Sequence, residues 1–218
     1  MSVREHFQAE LDDLKQLNVQ LGLSAKQALS RSVQAMMEQD IELAEKVIKE
    51  DAEINKREAM VQERAIALIA KQQPVATDLR RIIVAMKIAS DVERLGDLAV
   101  NISKSVKEIG SDPYIKPLVD LPKMAKLVDR MLDQVLDAFQ KDSVPLAMSV
   151  AQQDDQVDEL YGLITRDLFQ MMSGQPDKIA QIAQLSFICR HFERAGDHVV
   201  NICESIVYLV KGIRCDLD

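Results

Sequence analysis

Ten residues at 93–102, ERLGDLAVNI, return at 193–202 as ERAGDHVVNI. Both copies hold Glu-Arg-x-Gly-Asp-x-x-Val-Asn-Ile, and a motif this long recurring at a fixed offset marks two versions of one folding unit. The match extends upstream. AEKVIKEDAEIN (44–55) falls on AMSVAQQDDQVD (147–158) at an offset of 103, and QPVATDLRR and GQPDKIAQI then open the third helix of each unit. A three-residue difference around the turns reconciles that offset with the 100 of the motif.

Chain breakers fall in matching places. Pro74 follows KQQ, and Thr77 is suited to cap a helix beginning DLRRIIVAMKIAS. The stretch IGSDPYIKPLVDLP (109–122) gathers Gly110, Pro113, Pro117 and Pro122 and reads as a linker, while KDSVP (141–145) and SGQPD (173–177) are the later turns. Six helices are predicted near 3–38, 41–72, 78–109, 122–141, 145–172 and 177–213. The expected fold is all-α, a tandem duplication of an antiparallel three-helix bundle, with one unit at 1–110, a linker at 111–122 and the second unit at 123–218. Helices of about 30 residues would be about 45 Å long, so each bundle should be elongated.

Composition agrees and narrows the partners. Few aromatics (4%) and many Leu, Ile, Val, Ala, Met, Glu, Lys and Gln favour helix. A net charge of −8 with no basic run argues against nucleic acid as a partner. No stretch nears about 18 uninterrupted apolar residues, so no membrane insertion is expected, and MSVREHFQAE lacks the apolar core of a signal peptide. Three cysteines without zinc-type spacing (Cys189, Cys203, Cys215) suggest reduced thiols in a cytoplasmic protein, with Cys189 and Cys203 serving as small buried hydrophobes.

Acids interrupt the apolar stripes. The second helix places Ala44, Val47, Asp51, Ile54, Glu58, Val61, Ala65 and Leu68 on one face; the fifth places Ala147, Val150, Asp154, Val157, Tyr161 and Ile164 there, with Asp158 beside them. The third runs Leu79, Ile83, Met86, Glu93, Asp97 and Val100. Counting from each hairpin turn, Asp51 and Asn55 come level with Glu93 and Asp97, and Asp154 and Asp158 with Glu193 and Asp197. Asn101 and Asn201 follow one turn further along. Carboxylates on a packing stripe are costly unless something positive meets them. Gly96 and Gly196, mid-helix where glycine costs about 1 kcal/mol, imply close approach by a neighbouring helix or by a ligand.

Two readings fit the clusters. One is an ion-pair network with Arg94, Arg194, Arg80 and Arg81. The other is metal binding, in which all-oxygen ligands suit hard or intermediate cations, and His198 beside Asp197 is a further candidate ligand that Leu98 replaces in the first copy. A di-iron oxidase needs Glu-x-x-His on two helices, and here Gly96 and Gly196 occupy the His position. No nucleophile triad, P-loop or dinucleotide fingerprint is present, so no catalytic residue and no enzyme activity are expected.

The run QQPVATDLRRIIVAMKIASDVERLGDLAVNI (72–102), with its second copy ending HFERAGDHVVNICES, resembles the PhoU family of phosphate-signalling proteins, and the resemblance covers nearly the whole chain as two PhoU repeats. The family's acidic motif, Glu/Asp-x-x-x-Asp, matches Glu93/Asp97, Asp154/Asp158 and Glu193/Asp197; the fourth position departs from it, because Asp51 is followed by Asn55. The resemblance implies metal bound through these motifs as a divalent ion or a multinuclear cluster (iron, zinc, manganese or magnesium). It also implies a cytoplasmic, non-enzymatic negative regulator of the phosphate-starvation response, often a homodimer. Such proteins are expected to connect the ATPase subunit of the phosphate ABC transporter to a phosphate-sensing histidine kinase.

Overall fold

A computed structural model describes residues 3–217. The helices are α1 (Val3–Glu38), α2 (Ile41–Gln72), α3 (Ala76–Ile109), α4 (Asp120–Lys141), α5 (Val144–Ala151), α6 (Asp154–Met172) and α7 (Ile179–Lys211), with a 3-10 turn at Pro176–Lys178. The all-α duplication is as expected: α1–α3 form one three-helix unit, and α4, α5–α6 and α7 the other.

The stripe on α2 is buried where the spacing puts it, at Ala44, Val47, Ile54, Val61, Ala65 and Leu68, with Asp51 and Glu58 half-buried between them. Asp40 starts this helix by accepting a hydrogen bond from the Leu43 amide, and Ser143 does the same for α5 at Leu146. By contrast α3 and α7 are buried on most sides, and they form the most extensive helix pair in the molecule.

That pair joins the two repeats. His198 of α7 meets Asp91 of α3, and Arg80 of α3 lies over the Tyr208 ring of α7, so the helices run antiparallel. This pairing sets residues 94–95 opposite 194–195, where an approximate two-fold axis relates the repeats. Behind them α1 and α4 also pack antiparallel, with Gly22 against Leu136 and Lys26 bonded to Asp133 at 2.6 Å. The outcome is two layers over one continuous core: α2, α3, α7 and α6 in front, α1 and α4 behind. A two-fold that exchanges antiparallel helices is perpendicular to both, so the α2/α3 and α6/α7 grooves open on the same face.

Two sequence expectations are corrected. The helix expected at 145–172 is broken at residues 152–153. There the Gln153 side chain takes the Ser149 carbonyl (3.2 Å) that a regular helix would give to the Gln153 amide, and that amide turns to Val150 O at 2.9 Å instead. Nor does Thr77 cap the third helix. The helix begins at Ala76 after the extended Val75, and Thr77 Oγ1 accepts from Arg80.

Candidate metal centre

Each groove is built around a helix glycine. A Cβ placed on Gly96 would stand 3.1 Å from Ile54 and 3.3 Å from Asp51 Oδ1, so the missing side chain lets α2 bring its acid onto the α3 backbone. Gly196 does the same for Asp154 Oδ1, which approaches more closely still. Close approach by the neighbouring helix is therefore the reason for both glycines. Asp154 is only 6% exposed and occupies the first turn of α6, where the helix dipole favours a carboxylate.

The expected register brings the acids together. Burial, then the charge of Asp97, raises the Asp51 pKa, while a hydrogen bond from Asn55 Nδ2 (3.2 Å) and the charge of Lys104 oppose the rise. Burial and Asp97, followed by Glu58 and Asp51, raise that of Glu93 against the pull of Arg94. In the second groove burial raises the Glu193 pKa, Asp197 and Asp158 add to it, and Arg190 and Arg194 oppose. Asp158 is exposed; Asn101, one turn beyond Asp97, is half-buried, and Asn201 is exposed.

Ion pairs answer part of this charge. Arg94 donates to Asp97 Oδ2 at 2.8 Å and lies 3.5 Å from Glu93, but its side chain is 55% exposed, at the rim. Arg190 pairs with Glu193 Oε1. Arg80 is spent on Tyr208 and Thr77, away from the grooves. Asp51 Oδ1 and Glu193 Oε2 remain buried with no hydrogen-bond donor. Such an atom costs about 1–3 kcal/mol.

Buried carboxylate oxygens without donors, glycine cradles and acids that raise one another's pKa suit a hard cation. The residues placed to hold one are Asp51, Glu93 and Asp97 in one groove and Asp154, Asp158, Glu193 and Asp197 in the other. As the side chains stand, no three or more His, Cys, Asp or Glu groups among the described residues converge to metal-ligand spacing. Closing on an ion takes side-chain rotation, which the half-exposed Glu93 and Asp97 and the exposed Asp158 have room to make.

His198 does not join the second cluster. Its Nδ1 lies 3.1 Å from Asp91 Oδ1, across the repeat interface. In the related place stand Leu98 and His191; the Nδ1 of His191 is buried without a hydrogen-bond partner, and burial, with the charge of Arg194, lowers its pKa to about 4. Sequence reasoning missed this asymmetric pair of contacts. Its only trace was the mismatch of Asp91 with His191 and of Leu98 with His198 in otherwise matching copies. Cys189 and Cys203 are buried thiols with pKa pushed up to about 12 chiefly by burial, as the apolar neighbours suggested.

A family model for the PhoU domain matches residues 19–106 and again 121–206. The chain is 36% identical over 216 residues to a phosphate-specific transport system accessory protein PhoU homolog of Clostridium acetobutylicum, covering 99% of each. To the phosphate-specific transport system accessory protein PhoU of Escherichia coli (strain K12) it is 36% identical over 206 residues, 94% of this chain and 86% of that one. The crystal structure of the phosphate transport system regulatory protein PhoU from Streptococcus pneumoniae matches with a TM-score of 0.91 at 33% identity, covering 96% of this chain and 99% of that one. PhoU from Pseudomonas aeruginosa matches with the same TM-score and identity over 95% and 100%.

Proposed function

The chain belongs to the PhoU family, and from that premise we propose that it is a cytoplasmic, non-enzymatic negative regulator of the phosphate-starvation response. It couples the ATPase subunit of the phosphate ABC transporter to a phosphate-sensing histidine kinase, and works as a homodimer. The end-to-end match to relatives named as accessory proteins of phosphate transport supports this reading. No helix among the described residues is long and apolar enough to cross a membrane, consistent with action through protein contacts.

The observation that carries the metal part of the proposal is the repeated groove. Twice, a glycine admits an aspartate from the neighbouring helix to a pair of acids four residues apart. A bound cation supplies positive charge and a cross-link between neighbouring helices. Asp51 and Asp154 would hold it from α2 and α6, and Glu93/Asp97 and Glu193/Asp197 from α3 and α7, tying each pair of helices together. Arg94 and Arg190 now pair with these acids, and a cation held there would compete with both arginines for the carboxylates.

Deleting the gene should leave phosphate-starvation genes, such as a secreted phosphatase, active in high phosphate. A plasmid copy should restore repression, and one with Asp97→Asn and Asp197→Asn together should restore less. Normal repression in a deletion strain without a paralogue would refute the regulatory role. Full complementation by the double variant, with metal absent from the purified wild type, would refute the metal role alone.

A further inference from the structure

Where α1 and α3 begin and α4 and α7 end, a cavity of about 120 Å³ is lined by Leu11, Lys15, Arg81, Phe139, Asp142 and Leu209. The duplication supplies its internal comparison. Arg81, Ala85 and Leu209 correspond to Gln181, Leu185 and Ile109 by the offset of 100, and Phe139 and Asp142 to Met36 and Gln39 by the offset of 103. The second correspondence is visible in the backbone, because Gln39 and Asp142 each follow their helix with φ of 51°.

At the second location a coil fills the space. Gln39 Nε2 donates to Asp112 O (2.8 Å) and Gly110 O (3.2 Å), Gln181 Oε1 accepts from the Ile115 amide (2.7 Å), Gln181 Nε2 donates to Pro113 O (3.2 Å), and the Tyr114 hydroxyl donates to Met36 O (2.6 Å). At the first location the chain passing by is α1. Its peptide groups are bonded within the helix, so it can neither lean in nor offer backbone partners. Asp142 finds Lys15 Nζ at 2.8 Å. Half-buried Arg81 has no hydrogen-bond or ion-pair partner among the described residues.

Charge and shape then select the ligand. Lys15 and Arg81 face Asp12 and Asp142, and Asp12 already accepts from Gln8 Nε2 at 3.0 Å. The lining is therefore neutral, with one unused guanidinium. A monoanion paired with Arg81 leaves the site at a net charge of −1, whereas a phosphate dianion leaves −2 beside two carboxylates, so the singly charged ligand is the less costly one. The remaining wall, including Leu11, Phe139 and Leu209, is apolar. The volume holds roughly four waters, hence a ligand of about five or six non-hydrogen atoms.

We propose that this cavity binds a small monocarboxylate, its carboxylate paired with the Arg81 guanidinium and its short hydrocarbon stem laid on Leu11, Phe139 and Leu209. The geometry suits the two-pronged guanidinium–carboxylate pair. Such a ligand pins α1 and α3 of one repeat to α4 and α7 of the other, so its binding reports on the repeat interface and is independent of the carboxylate grooves.

The test titrates the full-length protein, metal-depleted and metal-loaded, with butyrate, acetate and inorganic phosphate, followed by calorimetry and by backbone-amide NMR shifts. Butyrate should bind saturably to both preparations, more tightly than acetate, with shifts around residues 81–85 and 139–142; phosphate should leave those amides unmoved. Arg81→Gln, which installs the residue of the other repeat, should weaken butyrate about tenfold or more. Ala85→Leu, likewise the other repeat's residue, should fill the cavity, abolish binding and raise the melting temperature. Absence of saturable butyrate binding, equal binding by Arg81→Gln, or displacement of butyrate by phosphate would overturn the proposal. None of these results bears on phosphate regulation or on metal in the grooves, which the deletion strain and elemental analysis address separately.

Discussion

Gly196→Ala puts one methyl group where α6 presses Asp154 onto α7. On helix propensity alone the change should stabilise the protein by about 1 kcal/mol. Against that, the new Cβ would collide with Asp154 Oδ1, an atom of a short side chain that is 6% exposed and cannot simply swing into water. Overpacking of this kind costs about 1–3 kcal/mol, so the net change is expected to be a loss of about 1 kcal/mol. The matched control is Gly162→Ala in α6, where nothing lies within 4 Å of the added Cβ and the propensity gain should appear undiminished. For a chain of this length 1 kcal/mol moves the melting temperature by about 2–4 °C. Gly96→Ala, with its nearest contacts at 3.1–3.3 Å, should fall between the two. Thermal melts followed by circular dichroism in chelator should therefore rank Gly162→Ala above wild type and Gly196→Ala below it. Gly196→Ala melting as high as Gly162→Ala would refute the idea that the glycine exists to admit Asp154.

Four further outcomes are expected. The second groove offers four carboxylates and the first three plus Asn55, so Asp197→Asn should cost more bound metal than Asp97→Asn, and Asn55→Asp should raise affinity in the first groove while lowering apo stability, as read by elemental analysis and denaturation. Raised pKa values at Asp51, Glu93 and Glu193 mean that the folded state holds these protons more tightly than the unfolded one; metal-free protein should thus lose stability as pH rises through the carboxylate range, and added metal should offset the loss. His191 has the opposite sign: with its pKa lowered from 6.5 to about 4, stability falls as pH drops through that window, and the fall should be shallower in His191→Phe. Finally, His198→Leu should leave Asp91 unpaired and cost about 1–2 kcal/mol, with metal content unchanged; loss of metal in this variant would return His198 to the ligand set.

What the sequence disclosed depended on how many neighbours each helix has. On α2 one side is buried and the other wet, so a 3–4 periodicity names its buried residues directly, with the two acids that interrupt it half-buried between them. Register in the hairpins was legible too, because the turns at 73–75 and 173–178 fix the count along straight helices. The stripe assigned to α3 was less informative: Ile83 is 40% exposed, while Val84, Ile88, Leu95 and Leu98 are buried, since this helix packs against α1, α2 and α7 at once. No periodicity records three partners. The break before Asp154 was hidden for another reason, because it turns on a side chain of Gln153 outcompeting its own backbone amide.

Differences between the two copies are most telling where they fall on the axis or at the ends. A pair of repeats related by a two-fold could in principle place the same residues at both equivalent positions. Leu98 and His198 break that equality beside the axis, and the surroundings change with them: His198 has Asp91, whereas in the related place stand Leu98 and the neutral His191, whose Nδ1 is buried without a hydrogen-bond partner. One location thus carries a hydrogen-bonded His198–Asp91 pair and the other no carboxylate at all. At the ends, Gln39 and Gln181 face a coil and carry amides that can both donate and accept, whereas Asp142 and Arg81 face a helix that offers neither. Among the described residues only one of those two charges is met by another side chain, Asp142 by Lys15. The fold therefore leaves its residual valence at Arg81, on the seam between the repeats, where a ligand would act on both halves at once.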